Sequence, residues 1–381
     1  MCCNSGVPGW TPLLEGRERQ DALDLVDRIA RDLAAQQAET GGLLDGGAAG
    51  EATFFYYLGS ALDDAGHRDR AFSALERAAA RADQLPLALH EGLIGVGWAI
   101  RHLQPGEQEP DDLDEAVLEL LAKPPLPYQP ADLLYGDLGI AVYAAERGDA
   151  GRAALDRIAE RVASTAQRDE RGLYWQVLDG YVNGGVAHGV AGVIAALAEV
   201  PAAEALVAGA VGWLCANRLP DGGFPGAVRS RAEPPVRQGW CYGDPGLAIA
   251  LHRAGRASAD WRAIALERAR FVAGLDMVGA RLEDASLCHG AAGVALILAR
   301  LHHATGDPEL AAAARVWFRR VVELAREGRG VGGFLFAREG GEWIPDASIL
   351  TGAAGVGLAL LAAATPLAPA WDRLLLLSAP E

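Results

Sequence analysis

Seven times along its length the chain returns to one phrase, a Gly-x-x-Gly turn running straight into small and apolar residues. The first glycines of these turns are Gly47, Gly92, Gly136, Gly189, Gly243, Gly290 and Gly352. By subtraction the intervals are 45, 44, 53, 54, 47 and 62 residues. That is the period of a two-helix repeat, whose single unit cannot bury its own apolar face and must stack on neighbours. A length of 381 residues would by itself suggest two or three domains, but an array closes as one unit however long it is. One domain over 1–381 is therefore expected, with 1–18 as a loose N-terminal tail.

The segment after each turn is apolar on nearly every side, as in Gly139-Ile140-Ala141-Val142-Tyr143 or Gly293-Val294-Ala295-Leu296-Ile297. Helices of that kind are buried all round. Between them lie amphipathic stretches at about 21–39, 68–83, 111–122, 151–167, 202–217, 259–273 and 308–327. In the first, Leu25, Val26, Ile29, Ala30, Leu33 and Ala34 recur at helical spacing while Asp24, Asp27, Arg28, Arg31 and Asp32 face away. Seven buried helices alternating with seven amphipathic ones predict two concentric rings, an all-α α/α toroid. An open solenoid would need polar capping repeats at its ends, and none is visible.

The longer intervals come from insertions ahead of the next turn. Residues 171–178 read as a short strand, and 333–346 as a hairpin, Phe334-Leu335-Phe336 and Glu342-Trp343-Ile344 around Gly340-Gly341. With the Pro-rich stretch 124–130 and the loop 229–238, these pieces are expected to wall a cleft, because insertions in repeat proteins gather on one face.

In a closed ring every turn emerges at the same rim, so residues just ahead of the first glycine converge on one end of the axis. Cys241 and Cys288 both stand two places ahead; His188 and His289 both stand one place ahead. Two thiolates and an imidazole suit Zn²⁺, and three protein ligands leave one position open for chemistry. A buried core cysteine is the commoner fate of the residue. The shared register of Cys241 and Cys288, with His289 adjacent, decides for a metal site. Cys215, mid-helix in Trp213-Leu214-Cys215-Ala216, is the core counterexample, and Cys2 and Cys3 fall in the tail. His90, two places ahead of Gly92, is either a further polar group at the rim or structural.

An open zinc with thiolate ligands binds an incoming thiol and presents it as a thiolate near neutral pH. His188 on the same rim is placed to act as general acid or base. Asp132, four ahead of Gly136, is the nearest carboxylate to orient it, or else a helix cap. Asp137 and Asp244 are expected to cap inner helices.

These residues carry a resemblance. Trp240-Cys241-Tyr242-Gly243, Cys288-His289-Gly290 and Ala187-His188-Gly189, set on seven such turns, resemble the lanthipeptide cyclases, the LanC-type enzymes, from about residue 20 to 375. The resemblance implies one zinc held by Cys241, Cys288 and His289. It implies Michael-type addition of a peptide Cys to dehydroalanine or dehydrobutyrine, giving the thioether rings of a ribosomally made lantibiotic precursor. It further implies proton-handling roles for His188 and Asp132, and catalytic roles for Arg237, four places before Cys241, and Tyr242, which follows the first zinc cysteine as in bacterial members. Arg237 has a plainer reading as the partner of a carboxylate. The implied partners are a dehydrated precursor peptide and a separate dehydratase, with room for a peripheral membrane complex. The early intervals leave no space for the extra leader-binding domain of the best-studied member, so 229–238 and 333–346 are the candidates to hold the precursor.

Composition removes other classes. A formal charge of −16 argues against a nucleic-acid partner. No apolar run is long enough to span a bilayer, and the N-terminus lacks an apolar signal core. Five cysteines without framework spacing fit a reducing cytoplasm. The rival readings are a non-catalytic scaffold for peptide or dehydratase, a zinc-dependent prenyltransferase-like enzyme, which would hold its metal with Asp, Cys and His, and a glycan-processing barrel. The last would need paired rim carboxylates, for which only Asp132 and Glu91 are available.

Overall fold

The computed structural model describes residues 9–36, 41–106, 111–126, 129–177, 180–228, 236–338 and 341–380. The inner helices are α2 (Ala48–Leu62), α4 (Leu93–Leu103), α6 (Asp137–Glu146), α8 (Val190–Leu197), α10 (Asp244–Ala254), α12 (Ala291–Thr305) and α14 (Ala353–Ala364). Around them run α1 (Gly16–Ala35), α3 (Ala65–Ala79), α5 (Asp112–Leu121), α7 (Arg152–Thr165), α9 (Glu204–Ala216), α11 (Ala259–Ala273) and α13 (Pro308–Leu324). Inner helices pack in chain order and α14 returns to α2, so the ring closes as the α/α toroid the repeat predicts. The first outer helix, α1, packs on the last inner helix, α14.

The turn glycine is the N-cap of all seven inner helices. Gly243 alone of the seven has positive φ, +98°, a conformation that glycine adopts without strain. The second glycine of each turn serves close approach: a Cβ on Gly95, Gly139, Gly192, Gly246, Gly293 or Gly355 would strike the carbonyl six residues earlier.

Neighbouring turns are stitched by backbone hydrogen bonds into a second closed ring. Leu44 N–H donates to His90 O (2.9 Å), His90 N–H to Leu134 O (3.1 Å), and Leu133 N–H to Ala187 O (2.9 Å). Val186 N–H continues to Cys241 O (3.0 Å), Cys241 N–H to Cys288 O (3.1 Å), Cys288 N–H to Leu350 O (2.9 Å), and Leu350 N–H closes on Leu44 O (3.5 Å). Six of these acceptors stand two places ahead of their turn glycine. Backbone pairing therefore holds that position at the rim whatever its side chain.

Asp137 and Asp244 depart from expectation. They stand in the first turns of α6 and α10 but make no cap. Each reaches sideways to an outer helix, Asp137 to Arg161 and Asp244 to Arg268, both at 2.7 Å and both buried. Glu51 of α2 binds Arg70 and Arg77 of α3 in the same way. The missing caps and these pairs have one cause: the carboxylate is already favoured at the positive end of the helix, and a guanidinium neutralises it where water is excluded.

The far end of the ring is filled by segments without repeat character. Residues 9–15, expected as part of a loose tail, pack instead; 1–8, with Cys2 and Cys3, lie outside the described residues. Trp10 is buried, donates Nε1–H to Ala362 O (2.7 Å) and stacks on His303 at 3.8 Å, while Leu13 and Leu14 N–H bind Ala363 O. These donors satisfy carbonyls that the end of α14 leaves without intrahelical partners. The C-terminal 3-10 turn Ala370–Leu375 plugs the same end, with Trp371, Leu374 and Leu375 buried.

The insertions contribute short antiparallel strand pairs, two of them hairpins. β1 (Gln167–Asp169) pairs antiparallel with β2 (Gly172–Tyr174), and β3 (Val182–Asn183) with β4 (Ala227–Val228), the latter pair joining segments on either side of α8 and α9. β5 (Phe336–Ala337) pairs with β6 (Trp343–Ile344) in the register Phe336–Ile344. The first strand of this last hairpin begins later than expected. Gly332 and Gly333, both at positive φ, draw Phe334 into a tight turn with Val331. Residues 127–128, 178–179, 229–235 and 339–340, parts of four expected insertions, lie outside the described residues.

Candidate metal centre and proton-handling pair

Cys241 and Cys288 sit on adjacent turns, and the backbone bond between them brings their side chains to the axis together. The sulfurs and a ring nitrogen of His289 lie within 4.8 Å of one another, with both cysteines buried. The neighbouring Cys288, against burial and aided by His289 and Arg237, draws the Cys241 thiol well below its ordinary value, while Cys288, buried beside that developing thiolate, is pushed well up. A cluster that stabilises a thiolate before any cation arrives has the donor set and charge that zinc takes. The residues fit the metal.

One turn along, His188 Nδ1 meets Asp132 Oδ2 at 2.7 Å. Asp132 is the partner of His188 rather than a helix cap, since α6 begins at Asp137 with Gly136 as its N-cap and no side-chain cap. Oδ1 accepts the N–H of Leu134 (2.9 Å) and Tyr135 (2.8 Å), holding its own turn, and Oδ2 orients the histidine. Burial alone would push His188 down; the hydrogen bond and charge of Asp132, with Cys241 behind them, carry it above its ordinary 6.5. The pair stays open to solvent, with side-chain exposures of 32% and 24%.

Arg237 is half-buried and close enough to lower both thiols by its charge. Tyr242 accepts a hydrogen bond from Asn183 Nδ2 at 2.9 Å, and its ring lies against Gly185 where a Cβ would not fit. It thereby ties the Cys241 turn to the turn that carries His188. His90 is on the rim but outside the metal cluster. Its ring packs 5.6 Å from Tyr135, and burial lowers it despite Asp45, Glu91 and Asp346 around it. Cys215 lies on α9 against the core, its thiol raised by burial.

Two residues of the centre escaped sequence reasoning. The Phe336 ring lies 5.2 Å from that of His289, so the β5–β6 hairpin reaches the metal cluster. Asp284 is buried with Oδ2 3.9 Å from His289 Nε2. Its signal was present in the register: Asn183, Asp284 and Asp346 all stand six places ahead of a turn glycine. The hairpin and the segment before it border a groove of about 570 Å³ lined by Asp284, Arg326, Arg329, Phe334, Leu335 and Trp343, in which no described residue of the other three expected insertions takes part.

The architecture is that of a known enzyme structure. The solved structure named nisin cyclase superposes with a TM-score of 0.70 over 95% of this chain and 98% of its own, at 16% sequence identity. Residues 40–376 match the family described as lanthionine synthetase C-like protein. That span holds all seven turns, the Cys241–Cys288–His289 cluster and the His188–Asp132 pair, and the chain belongs to the lanthionine synthetase C-like family.

Proposed function

We propose that the chain is a zinc-dependent lanthipeptide cyclase acting in the cytoplasm on a precursor peptide dehydrated by a separate enzyme. One juxtaposition carries this reading: a Cys–Cys–His cluster beside a solvent-open His–Asp pair on the rim of one toroid. Among the described residues no helix is long and apolar enough to cross a membrane, which suits a peptide substrate met in solution or at a membrane surface.

Cys241, Cys288 and His289 would hold the metal, which when bound would lower the pKa of an incoming peptide thiol. The peptide sulfur adds to the β-carbon of dehydroalanine or dehydrobutyrine. A carbon–sulfur bond forms, the π pair moves towards the neighbouring carbonyl as an enolate, and a proton completes the α-carbon. His188 handles that proton. Its Nδ1 is held by Asp132, so Nε2 is the nitrogen that exchanges with substrate, and Asp132 keeps the imidazolium accessible near neutrality. Arg237 places positive charge where the enolate develops. The thiol's proton is returned to carbon, and nothing is released.

The test begins with metal content. Wild type is expected to carry about one zinc per chain and Cys241→Ala none. Cyclisation does not change mass, so it is followed by the loss of alkylatable thiols in a dehydrated precursor. Zinc-loaded protein that binds precursors but closes no ring would turn the reading to a peptide-binding scaffold.

A further inference from the structure

The turns of Asn183, Asp284 and Asp346 show what each side chain is needed for. In all three, Oδ1 accepts the N–H two residues on: Gly185 at 2.9 Å, Ser286 at 2.9 Å and Ser348 at 2.7 Å. That is an Asx turn. Asn183 makes it with an amide oxygen, so the turn does not require a carboxylate. In Asp346 the second oxygen accepts the Thr351 hydroxyl at 2.6 Å. In Asp284 it accepts Ala337 N–H of β5 at 3.2 Å and faces His289 Nε2. The Asp284 side chain is only 1% exposed, and His289 Nε2 is a buried nitrogen with no hydrogen-bond partner. Two buried polar groups, each costly to leave uncompensated, therefore lie 3.9 Å apart at the edge of the metal cluster.

We propose that Asp284 is a positioning residue for the metal centre, accepting the Nε2–H of His289 and so leaving Nδ1 as the nitrogen that binds zinc. A neutral imidazole is a donor at one nitrogen and a ligand at the other, and a carboxylate behind it fixes which is which. Through Ala337 the same carboxylate ties the β5–β6 hairpin to the ligand, while the Phe336 ring packs against the imidazole at a tilt, 5.2 Å between centroids. The assignment rests on the zinc reading above.

Asp284→Asn is the informative variant because it keeps the Asx oxygen, as Asn183 does, and removes the anionic acceptor. Asp346→Asn on the next turn is its control. Zinc dissociation constants from chelator competition are expected to weaken by about ten- to a hundredfold in Asp284→Asn and to stay unchanged in Asp346→Asn. Circular dichroism checks that both variants keep the wild-type helix content. In the metal-free protein, ¹⁵N shifts of His289 should report the Nε2–H tautomer in wild type and a mixture in Asp284→Asn. Equal zinc affinity in wild type and Asp284→Asn, or equal weakening in both variants, overturns the assignment. A wild type that takes up no zinc overturns the metal reading and this inference with it.

Discussion

The ring carries a histidine–carboxylate pair at each end, and the two have opposite fates. At the turn end His188 binds Asp132 at 2.7 Å; at the far end His102 binds Glu146 at 2.9 Å. Local geometry does not separate them. Their surroundings do. His102 also meets the Tyr57 hydroxyl at 2.7 Å and stacks on Trp98, Glu146 also binds Arg373, and the pair is 5% and 9% exposed. The far end is closed by side chains: Arg300 pairs with Asp372, and Arg253 binds the carbonyls of Leu376 and Ser378. At the turn end the backbone closes the ring, so closure there does not depend on the side chains just ahead of each glycine. A histidine–carboxylate pair becomes a site where the backbone carries the structure, and a brace where side chains must.

That contrast can be broken most sharply with two alanines. His188→Ala is expected to keep its zinc and fold while losing about 10²–10⁴-fold in cyclisation rate, measured by thiol loss in the precursor. A variant that cyclises at wild-type rate would remove the proton role. His102→Ala should do the reverse. It leaves Tyr57 and Glu146 buried without their shared partner, so stability should fall by about 2–3 kcal/mol in denaturant titration, with zinc content unchanged. If it instead lost metal and kept its stability, the two ends would not be separable.

A finer probe is Asp132→Asn, which keeps the oxygen that holds Leu134 and Tyr135 but removes the charge facing His188. In wild type His188 titrates above 6.5, because the carboxylate outweighs burial; in the variant burial prevails and the titration moves down. NMR of the imidazole protons against pH reads this directly, and an unmoved midpoint would assign the shift elsewhere. The smallest effect belongs to Tyr242→Phe. Losing the bond to Asn183 should cost about 0.5–1.5 kcal/mol of stability, read as a lowered Tm, with zinc retained.

The legible part of this protein was its repetition. Period, turn glycines and the two helix types recur in chain order, so each copy reinforces the reading of the others. Register then located Cys241, Cys288, His289 and His188 at one rim without a structure. Asp132 was legible as a candidate but divided between cap and partner, because sequence cannot show that one oxygen holds its own loop ahead of the helix while the other reaches His188. Asp137 and Asp244 were misjudged for a related reason. Their place in the first helical turn was evident, but the arginine that draws each one sideways lies 24 residues on.

By itself the sequence determined the toroid, the rim and the residues delivered to it, because a strict repeat in a closed ring makes equivalent positions equivalent in space. Tertiary structure alone decided what occurs once. The packing of 9–15 and 370–375 into the far end, the reach of Phe336 to His289, and the choice of His188 over His102 as the open pair all join residues far apart in the chain. Such contacts leave no periodic trace, since nothing local in the chain requires them; they exist because closing the ring brings their partners together.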